Sequence, residues 1–468
     1  MPASHFQWLD RVPDLVGLGA AAPSSFPFLL DDAARKSCSL LLFAGEEKLV
    51  QLANGEISGP GEGASFFERL DNWFHSESGK AKKRAEDTPV NDPVDFPFNS
   101  GWFVYLGYEM AGIVENKLKL PVNPTDLPDA LAWRCPGAVL VFHQQGDQSS
   151  AMADRAVVVA ENDDFLQQIL ALVETGAAPP EEQVPVLEFL DIDEPERFER
   201  GVDTVLEYLR AGDVFQVNIS RPWNGVFLSP PDPAALYRNL SHANPAPFGG
   251  ILRWQDVVLL SSSPERLLQV RGDRVQTRPI AGTRPRGLGI EQDQALSREL
   301  IDNPKERAEH VMMIDLERND LGRVCQPGSV EVNEFMVIES YAHVHHIVSN
   351  VRGRLRPEAG PIQAMQALFP GGTITGCPKV RCMEIIAEFE REGRSFYTGS
   401  MGYLDLNGNM DMNILIRSML LKDNRIHFRT GAGIVADSIP SRELEETEEK
   451  ARGLLLALKA ENAEVRHA

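Results

Sequence analysis

Cysteine is scarce: five in 468 residues, at positions 38, 135, 325, 377 and 382, with no C-x-x-C pair among them. That excludes the usual spacing of a zinc site or a dithiol redox motif and leaves reduced, mostly buried thiols as the expectation. Basic charge is also short, with 46 Lys and Arg against 68 Asp and Glu, a formal net charge of −22. Nucleic acid and an anionic membrane surface are thereby excluded as main partners, and any anionic substrate needs a local positive site. No uninterrupted apolar run reaches the roughly 18 residues of a membrane-crossing helix. The N-terminal MPASHFQWLDRVPDL lacks the basic-then-apolar order of a secretory signal, so a cytoplasmic protein without a membrane partner is expected. No internal repeat is visible.

What is present is a chain that is 43% hydrophobic and long enough for one large α/β unit or two to three smaller ones. HSESGKAKKRAEDTPVNDP, from His75 to Pro93, is polar and charged and reads as an exposed loop. ETGAAPPEEQVPVLEFLDIDEP, from Glu174 to Pro195, has the proline and acid content of a linker. The chain therefore divides into an N-terminal region 1–175, a linker 176–195 and a larger region 196–468. AVLVF and RAVVVA before the linker, and DVVLLSSS after it, read as strands, the last among long helical patterns. Periodicity alone gives α+β or α/β.

Several segments carry possible chemistry. In VDTVLEYLRAGDVFQVNIS, Val202, Val205, Leu206 and Leu209 predict a helix stopped by Gly212, and Val214, Phe215, Val217 and Ile219 a largely buried strand. Gln216 and Asn218 share one face of that strand, where they satisfy backbone groups or face a polar pocket. In LLSSSPERLL, Glu265 follows an apolar strand on a Ser-Pro turn, placed as a general acid or as a turn cap. QTRPIAGTRPRG is a rigid cationic loop, either an anion site or a structural turn. In IDNPKERAEHVMMI, Asn303, Pro304 and Glu306 match a capping box, which explains Glu306 structurally, whereas Glu309, one turn on, is unexplained. Two carboxylates at that spacing resemble half of a hard-cation site.

The remaining half stands near the C-terminus. Glu443, Glu446 and Lys450 share one helix face, which on its own reads as a solvated acidic surface. Just upstream, Gly431 and Gly433 leave backbone N–H groups open to an oxyanion. FPGGTITGCPKVRCMEIIAEF sets Thr373 and Thr375 in a glycine-rich turn before a helix whose Val380, Met383, Ile386 and Phe389 face inward. Hydroxyls and N–H groups there suit a carboxylate or a ring hydroxyl. His343, His345 and His346 cluster on one strand but complete no zinc set.

Taken in order, GDVFQVNISR, SSSPERLL, TRPIAGTRPRG, KERAEHVMMIDLERNDLGRV, HHIVSNVRG, FPGGTITGCPKVRCMEII, YTGSMGYLDLNGNMDMNILIRSM, GAGIVADS and EETEEKA resemble the chorismate-utilising enzymes over about 198–458. FPFLLDDA and GWFVYLGYEMA resemble the N-terminal region of the anthranilate and aminodeoxychorismate synthase large subunits. The resemblance implies an anthranilate-synthase-like α/β (α+β) fold, with two large, mostly antiparallel β-sheets packed together, helices outside and the site deep between them. It implies Mg2+ held by Glu306, Glu309, Glu443 and Glu446 and bridging to the substrate's ring carboxylate. Tyr397, Arg417 and the backbone at Gly431, Ala432 and Gly433 would hold the second carboxylate, with Lys450 adding positive charge. His346 and Thr373 match residues near the ring, Glu265 the acid that helps its hydroxyl depart, and Ala281, Gly282 and Thr283 the PIAGT loop.

Relatives that use water carry a lysine base where this chain has Gln216, so the resemblance implies ammonia as the nucleophile, entering near Gln216. The absence of a glutaminase-like cysteine motif implies a separate glutaminase subunit. QVNIS and FPGGTITG resemble the aminodeoxychorismate branch, whereas Ala281 in PIAGT, in place of a lysine thought to attack the ring, matches the anthranilate branch. Direct attack of ammonia, without a covalent lysine, is the expectation for the first branch. LLDD at 29–32 departs from the LLES of tryptophan-inhibited relatives, which weakens the case for feedback inhibition. A catalytically silent chorismate-binding subunit is the remaining alternative, opposed by the full set of site residues.

Overall fold

The computed structural model describes residues 5–87, 96–143, 154–176, 186–287, 289–340, 344–460 and 463–467. His343 and the acidic start of the linker lie outside them. Two sheets, of 13 and 11 strands, and eleven α-helices are built from these residues. The strands pair antiparallel almost throughout; Leu187–Ile192 and Glu464–His467 run parallel.

The sheets pack face to face because their strands are apolar on the inner side. Phe28 of one sheet stacks on Phe103 of the other with ring centroids 4.0 Å apart, and Leu42, Leu140, Val157, Leu131 and Tyr105 fill the same layer. A second cluster joins the outer face of the 13-stranded sheet to helices Asp163–Thr175, Pro233–Ala243 and Pro440–Leu458. A third joins the 11-stranded sheet to helices Phe66–Asp87 and Pro361–Leu368. The order is helices, sheet, sheet, helices, the expected architecture.

Both sheets draw strands from either side of the 176–195 segment. Strand Phe28–Asp31 pairs with Phe248–Trp254, and Gly101–Leu106 with Ser400–Asp405. The division read from the sequence is thus one of composition, and the two regions share their cores. Within the segment, Leu187–Ile192 is itself a strand, bonded along Trp223–Phe227.

Two local readings need correction. Residues His75 to Asp87, read as loop, continue the helix Phe66–Asp87. Its first turns bury Phe66, Phe67, Leu70, Trp73 and Phe74, and the Lys, Glu and Ala that follow are good helix formers that propagate it without an apolar face. Phe215, read as buried, is 66% exposed. The helix before it behaves as read: Pro195–Ala211 ends at Gly212, whose φ of 80° is the left-handed conformation that glycine adopts freely. Among the described residues, no helix is long and apolar enough to cross a membrane.

Candidate active site

Strands Gln216–Phe227 and Arg425–Ile434 pair so that Ser220, Ile219 and Asn218 face Gly431, Ala432 and Gly433 in turn. Both glycines are closely approached, Gly431 by backbone and Gly433 by a side chain. A Cβ at Gly431 would lie 2.5 Å from the Ile219 carbonyl and 2.8 Å from the Tyr397 hydroxyl, and one at Gly433 would lie 2.3 Å from the Gln216 amide nitrogen. The two carboxamides read from QVNIS are therefore turned onto the glycine strand. We expect Gly433→Ala to fold, since only the end of a flexible side chain must move, but to lower kcat about tenfold by displacing Gln216. Gly431→Ala should instead lose about 1–3 kcal/mol of stability, because the obstructing Ile219 carbonyl is fixed in the sheet. Thermal melts set beside turnover assays distinguish these outcomes.

Helix Pro440–Leu458 crosses the strand ends. Its Lys450 donates to the Gly431 carbonyl at 2.9 Å and meets Glu446 at 2.6 Å. Helix Pro304–Gly322, whose Glu309 lies within electrostatic reach of Glu443 and Glu446, is capped by Asn303, whose side chain accepts from the N–H groups of Lys305 and Glu306. The cap is as read; the Glu306 side chain is not. Its carboxylate lies against Gly282 and meets Arg284 at 3.3 Å, so Glu306 belongs to the cleft. Gly282, at φ 60°, occupies a bulge between Ala281 and Thr283, and a Cβ there would lie 2.7 Å from the Glu306 carboxylate. Ala281 pairs with Ile347, and the Thr283 backbone with His346.

Glu309 senses the charge of the other three glutamates. Burial pushes Glu309 up to about 7; Lys305 opposes this, and Glu306, Glu446 and Glu443 add to it. Burial likewise raises Glu443, against a hydrogen bond from Ser438. Burial also disfavours ionised Glu446, but Lys450, Arg417 and Lys305 outweigh it and hold Glu446 below the ordinary carboxylate range. Its side chain is still 44% exposed, so solvent tempers those charges. Among the described residues, no three carboxylate, imidazole or thiol groups converge closely enough to share one ion. An all-oxygen set under mutual repulsion nevertheless fits a hard divalent cation in donor chemistry.

On the other wall, burial pushes Glu265 up to about 7, against the Thr373 hydroxyl, the Ile280 N–H, Arg417 and Lys450. The Thr373 oxygen is itself buried beside Glu265 without the geometry of a full hydrogen bond, leaving it open to a further polar group. His346, pushed down to about 4 chiefly by burial, is neutral at pH 7, with Nδ1 3.3 Å from the Gly282 carbonyl. Arg417, half-buried, is lowered by desolvation, against the pull of Tyr397, Glu446 and Glu265. These segments thus bring a carboxyl that is half protonated at neutral pH and a neutral imidazole into the neighbourhood of two cations and several glutamates.

Sequence reading missed two buried acids here. Glu317, on the Glu306 helix, is raised by burial and by Asp320, against Lys379, with Glu265 adding to the rise. Glu390 is the other; burial opposes its charge, yet Arg394 and Arg429 hold it ionised below the ordinary range. The only signal was acids at inward helix positions. A separate cavity of about 260 Å³ lies against Asp31, Asp32, Lys36, Arg278 and Tyr403. It places LLDD on a cavity wall but holds none of the cleft glutamates.

The chain belongs to the chorismate-binding enzyme family, whose model matches residues 26–456. It is 44% identical to an anthranilate synthase component I-like protein of Synechocystis over 373 residues, 79% of this chain and 74% of that one. Aminodeoxychorismate synthase component 1 of Bacillus subtilis is 39% identical over 389 residues, 80% of each chain. The crystal structure of anthranilate synthase component I from Streptococcus pneumoniae superposes with a TM-score of 0.74 at 30% identity, over 89% of this chain and 91% of that one.

Proposed function

We propose that the chain is the chorismate-aminating component of an aminodeoxychorismate synthase, converting chorismate and ammonia to 4-amino-4-deoxychorismate for 4-aminobenzoate and folate synthesis. A separate glutaminase subunit supplies the ammonia, and Mg2+ is the cofactor. The observation that carries ammonia as nucleophile is the wall around Gln216. Gln216 stands where water-using relatives carry a lysine base, and the Asn218 side-chain oxygen is buried without a hydrogen-bond partner, 3.1 Å from where a Gly431 Cβ would be. It is an acceptor ready for an N–H group.

Glu306, Glu309, Glu443 and Glu446 would hold Mg2+, which supplies charge neutralisation and orientation for a substrate carboxylate. Arg417, Tyr397 and the Gly431–Gly433 backbone bind the second carboxylate. Glu265, steadied by Thr373, gives its proton to the departing ring hydroxyl, which leaves as water as the C–O bond breaks. Ammonia, beside Gln216 and Asn218, forms the C–N bond, and the ammonium group so formed returns one proton to Glu265. Protons balance over the cycle.

Anthranilate synthesis is the second reading, favoured by one observation: Ala281, small and buried against Ile347, matches that branch. The two readings part on product. With chorismate, Mg2+ and an ammonium salt, 4-aminobenzoate forming only after addition of aminodeoxychorismate lyase is the expected chromatographic result. Anthranilate formed without the lyase would overturn it in favour of the second reading.

A further inference from the structure

Behind the wall that carries Tyr397 lies a guanidinium with no part in the steps above. Arg394 is 1% exposed, and all five of its N–H groups meet oxygen. Glu390 accepts two, at 2.9 and 2.7 Å, in the bidentate geometry that only arginine offers. The Asn218 carbonyl accepts one at 2.8 Å, the Ile374 carbonyl one at 3.2 Å and the Thr398 hydroxyl one at 3.4 Å. The guanidinium carbon lies 5.0 Å from the Tyr108 ring centroid and 5.5 Å from that of Tyr397, so aromatic rings occupy its flanks.

Three of these neighbours lie on different site-bearing segments. Asn218 belongs to the strand that presents Gln216 to Gly433, Ile374 follows Thr373 in the turn beside Glu265, and Tyr397 stands over Gly431. Glu390 ties the same group back to that strand by accepting from the Ser220 N–H at 2.9 Å and its hydroxyl at 2.7 Å, and Arg429 approaches Glu390 at 3.3 Å. A buried ion pair is weak evidence for stability, because the desolvation of two charges offsets their attraction. The distribution of these bonds over three site-bearing segments is what a purely stabilising pair does not require.

We propose that Arg394 is a positioning residue for chorismate turnover: one planar cation fixes the Gln216–Asn218 strand, the Thr373 turn and the Tyr397 ring relative to one another. Tyr108, from the N-terminal region, is its second aromatic wall and gives that region a direct hold on the site. Lysine cannot replace it, since a point charge on a flexible stem lacks the fork and the flat faces. The inference rests on chorismate being the substrate and is indifferent to which product is made.

The test is Arg394→Lys, assayed for chorismate consumption with Mg2+ and ammonium chloride, alongside circular dichroism and thermal melts. A positioning role lowers kcat about 100-fold, the cost of a displacement near 1 Å, with a much smaller change in KM. A role in stability alone lowers the melting temperature and leaves the kcat of the folded protein at the wild-type value, which overturns the inference. Should Arg394→Lys fail to fold, the Tyr108 variants decide. Tyr108→Leu is expected to lose about tenfold in kcat and Tyr108→Phe, which keeps the ring, to regain most of it; equal rates in the two would overturn the proposal. If the wild-type chain consumes no chorismate, the functional reading itself falls and the inference with it, whereas a wild-type rate in Arg394→Lys counts against Arg394 alone.

Discussion

Glu265→Gln lowers kcat by about 1,000-fold, within the range that a lost general acid costs. Glutamine keeps the shape and can still meet the Ile280 N–H and the Thr373 hydroxyl, so KM and the melting temperature should change little. The carboxyl earns this expectation from its surroundings. It is 5% exposed, and burial raises it to about 7 even though Arg417 and Lys450 pull the other way. The pH dependence follows by sign. A general acid must carry its proton, the protonated fraction is half at about pH 7, and it falls about tenfold per unit above that. After correction for the fraction of ammonia present as free base, wild-type kcat should decline through that pH, and in Glu265→Gln the decline should vanish. His346, already neutral above about 4, adds no limb in this range. A variant retaining wild-type kcat, or an unchanged pH limb, would remove Glu265 from the chemistry.

The second large effect concerns the acidic cluster. Glu446→Gln is expected to raise the Mg2+ concentration needed for half-maximal activity by at least about 100-fold, the upper end of what an outer-shell loss costs a metal site. At ordinary Mg2+ turnover should be abolished. Glu446 also engages Lys450, which holds the Gly431 carbonyl, so a fall in activity alone would be ambiguous. The Mg2+ titration resolves this. A lost ligand shifts the midpoint, and activity returns as Mg2+ rises; a disordered Lys450 lowers the maximum at any Mg2+. Activity surviving at ordinary Mg2+ would refute the assignment of Glu446 as a ligand.

Features written in short spans of sequence were legible. Gly212 stops its helix, Asn303 and Pro304 start theirs, and the alternation of Gln216 and Asn218 with apolar neighbours put both carboxamides on one face, against Gly431 and Gly433. Features set by distant partners were not. Glu306 looked complete as half of a capping box because the competing partners, Gly282 and Arg284, stand in a bulge more than 20 residues earlier. Arg394 is not singled out in the sequence, because its bond to Asn218 spans 176 positions. The helix to Asp87 escaped notice because a helix past its apolar face is carried by propensity, which a polar sequence hides.

The interleaving of the two sheets has a consequence for how the chain can be divided. Cutting it in the 176–195 segment would sever no compact unit from another. It would strip Phe28–Asp31 from Phe248–Trp254 and Gly101–Leu106 from Ser400–Asp405, leaving two long hydrophobic strand edges bare on the C-terminal piece. Such edges recruit other chains, so the segment that bears nearly every site residue would sooner form aggregates than an enzyme when made by itself. The N-terminal region therefore covers strand edges that the C-terminal region cannot cover for itself.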